Sequence, residues 1–198
     1  MTIEDEIAAV RKATRGDTAA FRALFEAHHE AVFRFAYRLT NSVHVAEDVT
    51  QDCFLRVVSN PGGFDPGRGS LRAFLCGMAR NLVRQWWRVT GREVELDDDC
   101  DETVAADLLS GDSAGPSPEV AQAVQAAVGL LPVLQREAVI LFEFEGLSLE
   151  EVSQVVNADV GTVKSRLFRA RRRLRGLLEP YFNQIKTDAW RIANERSQ

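Results

Sequence analysis

Apolar side chains recur at helical spacing through most of the chain. Phe21, Leu24 and Phe25, for example, follow the three- and four-residue steps that place side chains on one face of a helix. The same periodicity predicts helices over 18–39, 43–58, 70–90, 119–130, 133–145, 148–156 and 160–178. No alternation of apolar and polar residues and no Asn-Gly hairpin turn indicates strands. The sequence therefore predicts an all-α fold.

Charge divides the chain into three parts that the net charge of −5 conceals. Residues 1–90 carry 12 Lys/Arg and 10 Asp/Glu, residues 120–198 carry 11 and 9, and residues 91–119 carry one arginine and ten acids. The acidic segment has few aromatic residues and ends in a Gly/Ser/Pro-rich stretch, so it buries too little apolar surface to offset its ordering entropy. We predict two small helical domains, at 1–90 and 119–178. A flexible acidic linker joins them at 91–118, and an extension of unknown role follows at 179–198.

The predicted helix over 70–90 lies in a basic segment, since 66–92 contains six arginines and no acid. One face of its helical wheel is ordinary core: Leu71, Phe74, Leu75, Met78, Leu82, Trp86 and Val89. The opposite face carries Arg80, Asn81, Arg84, Trp87 and Arg88. Unbalanced arginines attract polyanions, and an aromatic ring beside them can stack on an unpaired base, with Phe64 as a second platform. The pattern equally fits a solvated basic face with Trp87 covered by another helix.

A helix-turn-helix is predicted at 148–175. Ser148 and Glu151 have the spacing of a capping box, Asn157 suits a left-handed turn, and Asp159 can cap the second helix. The second helix carries seven cations and no acid between 160 and 178. Seven cations on one helix repel each other, so stability alone does not explain them. A basic helix does fit the major groove of DNA. An anionic membrane or a polyacidic partner would also fit, but the two capped helices favour DNA.

Other chemistry has little support in the sequence. Cys53, Cys76 and Cys100 are scattered and have no histidine at metal-ligand spacing, so we expect neither a disulfide scaffold nor a metal site. No phosphate-binding loop, dinucleotide fingerprint or zinc-protease motif is present, so we expect no cofactor and no catalytic residue. The acidic first residues do not resemble a signal peptide, and no apolar run approaches the roughly 20 residues that span a bilayer. We therefore expect a cytoplasmic protein without membrane insertion.

Several motifs resemble the extracytoplasmic-function sigma factors of the sigma-70 family. Residues 160–174, with the run Gly-Thr-Val-Lys-Ser-Arg, resemble the helix with which that family reads promoters, and residues 145–152 match the same domain. Residues 46–57 resemble the family's polymerase-binding helix. Residues 64–74 and 79–81 resemble its −10 reading region. The matches cover about 17–90 and 119–178, with two domains in the family's order.

The resemblance implies a sigma factor that brings core RNA polymerase to specific promoters, in response to an environmental or envelope signal. It implies contacts with the β and β′ subunits of core polymerase by Asp48, Gln51, Asp52 and Phe54. Single-stranded −10 contacts fall to the 64–70 loop and the basic face of the following helix: Phe64, Arg68, Ser70, Arg80, Asn81, Arg84, Trp87 and Arg88. Duplex −35 contacts fall to Lys164, Ser165, Arg166, Phe168, Arg169 and Arg172. In the family the linker threads the RNA exit channel, which suits an acidic segment, and an anti-sigma factor is a candidate partner.

Two rival interpretations remain at this stage. A stand-alone helix-turn-helix regulator would bind duplex DNA without polymerase and would need a dimerisation or ligand domain. A nucleic-acid enzyme such as a recombinase would need a nucleophile or a carboxylate metal cluster, for which the acidic run at 97–102 is the only candidate, in poor geometry for catalysis. The extension at 179–198 is interpreted as a weakly docked or frayed end, in which Phe182, Ile185, Ala189 and Ile192 could form a short amphipathic helix.

Overall fold

The computed structural model describes residues 2–60, 62–91 and 118–195, with Ile3, Pro118 and residues 182–195 as backbone only. Cys100 and all but the ends of the predicted linker lie outside the described residues. The described chain forms eight α-helices and no strand, which confirms the predicted all-α fold. They are α1 Ile3–Ala13, α2 Thr18–Thr40, α3 Val43–Ser59, α4 Leu71–Val89, α5 Pro118–Gly129, α6 Val133–Val139, α7 Leu149–Val156 and α8 Val160–Glu195.

Helices α1 to α4 form the N-terminal unit around a shared core. Phe35 of α2, Cys53 of α3 and Leu75 of α4 are each at most 1% exposed, so one fully buried side chain from each of these three helices marks the centre. Burying such side chains contributes roughly 1.5–3 kcal/mol each. Asn41 ends α2 with a left-handed conformation (φ 52°), which turns the chain sharply into α3.

The sequence pattern did not predict α1. Its start is a capping box, in which Thr2 caps the amide of Asp5 at 3.2 Å and the Asp5 carboxylate accepts from the amide of Thr2 at 3.0 Å. Val10 and Ala13 are each 5% exposed and join the core of the N-terminal unit. The capping-box spacing of Thr2 and Asp5 and the short apolar stripe within an acidic segment are the signals that the sequence offers for this helix.

The loop between α3 and α4 is held by local capping. Asp65 caps a single 3-10 turn at Pro66–Arg68 by accepting from the amide of Gly67 at 3.0 Å. Gly69 follows with φ 148°, a conformation that favours glycine, and a Cβ there would lie 3.4 Å from the amide oxygen of Gln154. Ser70 then caps α4 through the amide of Ala73. The loop and the start of α4 are therefore fixed relative to each other.

The C-terminal unit contains α5 to α8. The predicted helix over 133–145 is α6 followed by a π-helical segment at Ile140–Phe144, which is closed by the amide of Glu145 on the carbonyl of Ile140 at 2.9 Å. Ile140, Leu141 and Val163 are fully buried in this unit. Glu145 is the residue at which this wider turn ends.

The predicted helix-turn-helix is α7 and α8. Ser148 and Glu151 form the expected capping box, and Asn157 is left-handed at φ 54° and ψ 53°. Asp159 accepts from the amide of Thr162 at 2.9 Å and so caps α8, as predicted. Helix α8 continues past the predicted end at 178 to Glu195, with Pro180 inside it. The extension at 179–198 is thus mostly helical backbone, and its apolar stripe from Phe182 to Ile192 lies where side chains are not described.

Candidate nucleic-acid interface

Helices α4 and α7 lie side by side and run in the same direction. At their starts, the carboxylate of Glu151 in α7 accepts from the amide of Ser70 at 3.2 Å and also from its hydroxyl. Further along, the guanidinium of Arg80 in α4 donates to the carbonyls of Val155 and Val156 at 3.2 and 3.3 Å. These carbonyls end α7, so Arg80 caps the first helix of the helix-turn-helix from the other unit.

Glu137 of α6 holds two arginines of α4. Its carboxylate accepts from Nε of Arg80 at 2.9 Å, and from Nε and Nη2 of Arg84 at 2.9 and 3.1 Å. Glu137 is fully buried and Arg80 is 7% exposed. Burial lowers the pKa of Arg80, and the neighbouring charges of Arg84 and Arg166 act in the same direction against the stabilising Glu137. These hydrogen-bonded arginines offset the free-energy cost of burying the Glu137 carboxylate.

A second carboxylate, Glu145, faces the same unit. It is 1% exposed and lies 3.5 Å from Nη1 of Arg38, while Arg72 donates to its backbone carbonyl at 2.9 Å. Burial raises the pKa of Glu145, and the positive charges of Arg34, Arg38 and Arg72 offset this only in part. Neither Glu137 nor Glu145 was singled out from the sequence. The available signal was an acid on an apolar helical face, since Leu134 and Leu141 lie three residues before and four residues after Glu137.

The predicted −10 loop borders a pocket of about 350 Å³ between the two units. Phe64, Arg68, Ser70 and Asn81 line it from the N-terminal unit, together with Gln154 and Val155 from α7. The ring of Phe64 lies 5.5 Å from that of Phe74, and Asn81 and Arg68 are exposed. The structure therefore brings four of the predicted −10 residues to one cavity.

The remaining predicted −10 residues lie in different surroundings. Arg88 is exposed near the end of α4, whereas Arg80 and Arg84 are held by Glu137. Trp87 is only 5% exposed and belongs to the core, while Val89, predicted to be core, is 80% exposed. The wheel misplaced Trp87 because α4 is covered on two sides, by α2 and α3 and by α7, so its buried surface is wider than one stripe. Val89 is the last residue of the helix. In this conformation Trp87 is covered, as the alternative interpretation had it.

The predicted polymerase residues of α3 divide into two groups. Asp48, Gln51 and Asp52 are exposed on one face of the helix. Phe54 is 3% exposed, and its ring packs 5.0 Å from Phe25 and 6.4 Å from Phe21. The expectation that Phe54 contacts polymerase directly therefore needs correction, because its side chain belongs to the core. Leu55, which is not among the residues predicted from the sequence, is 51% exposed beside the acidic face.

The predicted −35 residues lie on the N-terminal half of α8. Lys164 and Arg172 are exposed, and Ser165, Phe168 and Arg169 are half-buried. Arg169 donates to the hydroxyl of Ser165 at 2.9 Å. Arg166 is 7% exposed and close enough to Arg80 of the N-terminal unit to affect its pKa, so the packing of the two units places it toward the other unit. The expectation of a DNA-facing Arg166 does not hold in this arrangement, since the helix turns that side toward the interior.

The described residues contain no cluster of three metal-ligating side chains and no helix long and apolar enough to cross a membrane. Cys53 and Cys76 are free and buried. Burial raises the pKa of Cys53 to about 12 and that of Cys76 further still. Neither thiol is therefore ionised near neutral pH, and neither suits metal binding or nucleophilic chemistry in the folded protein.

Comparison with known families accounts for both units. The family described as Sigma-70 region 2 matches residues 24–93, and the family described as Sigma-70, region 4 matches residues 121–174. The two matches fall on the N-terminal unit and on the unit with the helix-turn-helix. The chain belongs to the sigma-70 family. It is an RNA polymerase sigma factor of the extracytoplasmic-function (ECF) type, and thus a transcription initiation factor.

Individual relatives give the same picture for this ECF sigma factor. It is 35% identical over 186 residues to the ECF RNA polymerase sigma factor SigE of Mycolicibacterium smegmatis, which covers 88% of this chain and 68% of the relative. It is 31% identical to the RNA polymerase sigma-H factor of Pseudomonas aeruginosa, covering 93% and 99%. The sigma factor RpoE of Bartonella quintana, solved in complex with the anti-sigma factor NepR, is similar with a TM-score of 0.63 at 30% identity, covering 80% and 96%.

Proposed function

We propose that this sigma factor acts in the cytoplasm through three surfaces. Exposed residues of α3 bind core polymerase, the loop 64–70 with α4 captures the −10 element as single strand, and α8 reads the −35 element as duplex. The protein itself forms and breaks no bond, because polymerase supplies the chemistry. An environmental or envelope signal sets when it acts.

The polymerase surface is the face of α3 formed by Asp48, Gln51, Asp52 and Leu55. These residues follow the steps of a helical face, and all are exposed. An exposed leucine beside acids is a composition suited to a protein interface, with an apolar centre and a polar rim. Phe54 supports this surface from beneath, through its contact with Phe25.

The −10 surface is the pocket beside Phe64 and Asn81. A base flipped out of the duplex could enter this pocket, where the exposed Asn81 amide can read its hydrogen-bonding edge and an aromatic ring can stack on it. Arg68 and Arg88, both exposed, would contact phosphates and set register. Arg80 and Arg84 would join them once released from Glu137.

The −35 surface is the exposed face of α8 near its N-terminus. Lys164 lies close to the helix start, where side chains of a recognition helix meet base edges, and Arg172 lies two turns further along. Ser165, Phe168 and Arg169 lie between them and are half-buried. We assign base contacts to the first turns of α8 and phosphate contacts to Arg169 and Arg172.

One observation carries the proposal more than any other. The helix-turn-helix of α7 and α8 is capped at each junction by the predicted residues, and it presents a cationic face within a unit that matches sigma region 4. The region 2 match over residues 24–93 covers the segment that a stand-alone regulator would use for dimerisation or ligand binding. That match favours the sigma reading over the regulator.

The test is reconstitution with bacterial core polymerase that lacks any sigma factor. We expect co-elution with core and run-off transcription from discrete starts on genomic fragments. The double variant Asp48→Asn/Asp52→Asn should weaken core binding by about tenfold or more, which corresponds to about 1.4 kcal/mol. Glu26→Gln is the matched control, because Glu26 is an exposed acid on α2 outside the proposed surface.

Two results would change the assignment. A protein that ignores core but binds duplex DNA specifically would be a stand-alone helix-turn-helix regulator. Equal core binding by the double variant and by Glu26→Gln would remove α3 from the polymerase surface. The anti-sigma factor in the Bartonella quintana structure makes a partner of that kind a candidate here, and pull-down with the purified chain would identify it.

A further inference from the structure

The face of α8 that is assigned to the −35 element contains a hydrogen bond between two of its own side chains. Nη2 of Arg169 donates to the hydroxyl of Ser165 at 2.9 Å, and Nε of Arg169 lies 3.5 Å from the backbone carbonyl oxygen of Ser165. Both residues are half-buried, whereas Lys164 and Arg172 on the same face are exposed. The guanidinium of Arg169 therefore folds back along its own helix.

The spacing of the two residues explains this contact. Side chains of a helix lean toward its N-terminus, so Arg169 covers the turn that contains the residue four positions earlier. That residue is a serine, whose hydroxyl oxygen can accept from a guanidinium N–H. The residue four positions before Arg172 is Phe168, whose side chain has no acceptor. The sequence thus gives this hydroxyl to one of the two arginines assigned to phosphate.

A second hydroxyl with the same spacing has a different partner. Thr162 lies four residues before Arg166, and its hydroxyl donates to the carboxylate of Asp159 at 2.6 Å. Asp159 caps α8, because its carboxylate also accepts from the amide of Thr162. The Thr162 hydroxyl therefore belongs to the start of the helix. The Ser165 hydroxyl differs, because its partner is an arginine of the face assigned to DNA.

A contact of this kind can change affinity for DNA without touching DNA. A flexible arginine loses rotamer entropy when it binds a phosphate. Part of that loss is incurred on folding if the guanidinium is held beforehand, and binding is then tighter. The planar guanidinium also loses less freedom for each hydrogen bond when it is already oriented. Residues that lock the rotamer of a binding group therefore contribute to the site that they support.

We propose that Ser165 is a positioning residue for Arg169. Its hydroxyl holds the guanidinium over the second turn of α8, where Arg169 meets a phosphate of the −35 duplex. Ser165 then acts on DNA through Arg169 and contacts no base edge. This role rests on the proposed function, which assigns Arg169 to phosphate, whereas the hydrogen bond between the two side chains does not depend on it.

The first measurement is NMR relaxation of the arginine Nε–H groups in the free full-length chain. We expect the order parameter of the Arg169 Nε–H group to be lower in Ser165→Ala than in the wild type, and to be retained in Ser165→Thr, which keeps a hydroxyl. Ser153→Ala is the matched control. It removes a hydroxyl from α7 that donates to the carbonyl of Glu150 at 2.9 Å, and it should leave Arg169 unchanged.

The second measurement is the affinity of the polymerase complex for promoter DNA, with the same four proteins bound to core. The DNA is a fragment whose start is mapped by the reconstitution described above, together with a panel of single base-pair changes in its −35 element. Ser165→Ala should weaken binding about threefold to tenfold on every fragment and should leave their order of preference unchanged. Ser165→Thr and Ser153→Ala should bind like the wild type.

The salt dependence separates positioning from direct contact. Ser165→Ala should keep the wild-type slope of log affinity against log salt, because Arg169 still neutralises its phosphate once it is bound. Arg169→Ala should reduce that slope by about 0.9. In the Arg169→Ala background, Ser165→Ala should have no further effect on affinity. Independent, additive losses would mean that Ser165 contacts DNA by itself.

Each outcome bears on a different step. Equal order parameters for Arg169 in the wild type and in Ser165→Ala would overturn the positioning, and so would unchanged affinity of Ser165→Ala. An altered preference among the fragments would make Ser165 a base contact instead. Loss of affinity in Ser165→Thr as well would exclude the hydroxyl as the cause, and thermal melting establishes that each variant is folded.

Failure of the proposed function gives a different result. If Arg169→Ala binds promoter DNA with the affinity and the salt slope of the wild type, the assignment of Arg169 to phosphate is wrong, and the role of Ser165 in DNA binding is lost with it. The same holds if the wild type does not bind core polymerase. In both cases the NMR measurement still reports whether Ser165 holds Arg169.

Discussion

Glu151 of α7 accepts a hydrogen bond from the backbone amide of Ser70, the N-cap of α4, at 3.2 Å. Its other oxygen accepts from the amide of Ser148, the N-cap of its own helix, at 3.0 Å. One carboxylate therefore joins the starts of two helices, and Glu151 lies 81 residues after Ser70 in the chain. Burial opposes its ionisation, but the hydrogen bonds from Ser70 and Ser148 outweigh that effect and lower the pKa of Glu151.

Ser70→Ala should therefore lower the free energy of unfolding by more than the loss of an ordinary N-cap does. Loss of a serine cap costs about 1 kcal/mol of unfolding free energy, and Ser70 also loses Glu151. Ser42→Ala is the control, because Ser42 caps α3 within a single unit. In double-mutant cycles by urea unfolding, Ser70→Ala and Glu151→Ala should be non-additive by about 0.5 kcal/mol or more, and Ser42→Ala and Glu151→Ala additive. Additivity in both cycles would mean that the bridge contributes nothing in solution.

Phe54 and Asp52 should separate stability from binding. Phe54→Ala removes a buried ring and should lower the free energy of unfolding by about 3–5 kcal/mol. Asp52→Asn changes an exposed side chain and should leave stability within about 0.5 kcal/mol while weakening core binding. Thermal melts and core-binding titrations measure the two effects. A conservative Phe54→Leu variant that keeps its stability but loses polymerase would contradict the packing role assigned to Phe54.

Glu145 should make stability fall as pH rises. Burial raises its folded-state pKa above the ordinary value of 4.5, so the folded protein holds this proton more tightly than the unfolded chain. Stability from this group is full below 4.5 and is lost as pH rises through the raised pKa. Glu145→Gln does not titrate, so its unfolding free energy relative to the wild type should increase across that window and then level off. A difference that stays constant with pH would show that Glu145 has an ordinary pKa.

We expect Arg172 to contact DNA phosphates and not base edges. Arg172→Ala should weaken binding of the polymerase complex to all −35 sequences alike, and should reduce the slope of log affinity against log salt by about 0.9. Lys164→Ala, near the start of α8, should instead change the preference among sequences. Fluorescence anisotropy over a salt series measures both. Sequence-dependent losses with Arg172→Ala would reassign that residue to base contact.

The buried thiols should not react with alkylating reagents until the protein unfolds. Cys53 and Cys76 are buried, and the pKa of Cys53 is raised to about 12, so the reactive thiolate is scarce at neutral pH. Alkylation followed by peptide mass spectrometry should label neither residue in the native protein and both in denaturant. Rapid native labelling of Cys53 would indicate that α3 opens away from α4, where Cys53 faces the carbonyl of Leu75.

Residues that are close in sequence determined most of the helix boundaries and turns of this protein. Helices α2 to α5 and α7 begin and end close to where apolar periodicity and capping residues predict them, and the predicted helix over 133–145 is α6 continued by a π-helical segment. The turn at Asn157 and the cap at Asp159 follow from single residues and their near neighbours. These features can be predicted from the sequence because a cap or a turn depends on atoms within about four residues.

The tertiary structure decided which surface each side chain serves. Trp87 and Arg166 look exposed on helical wheels, yet both are buried, because a wheel shows one helix and not what covers its second side. Arg80 meets Glu137 across 57 residues of sequence, and the predicted acidic linker lies within that interval. No local pattern encodes such a pair, since its energy depends on how two separately folded units dock. The sequence determined the helices and their family, and the packing determined which arginines are available to DNA.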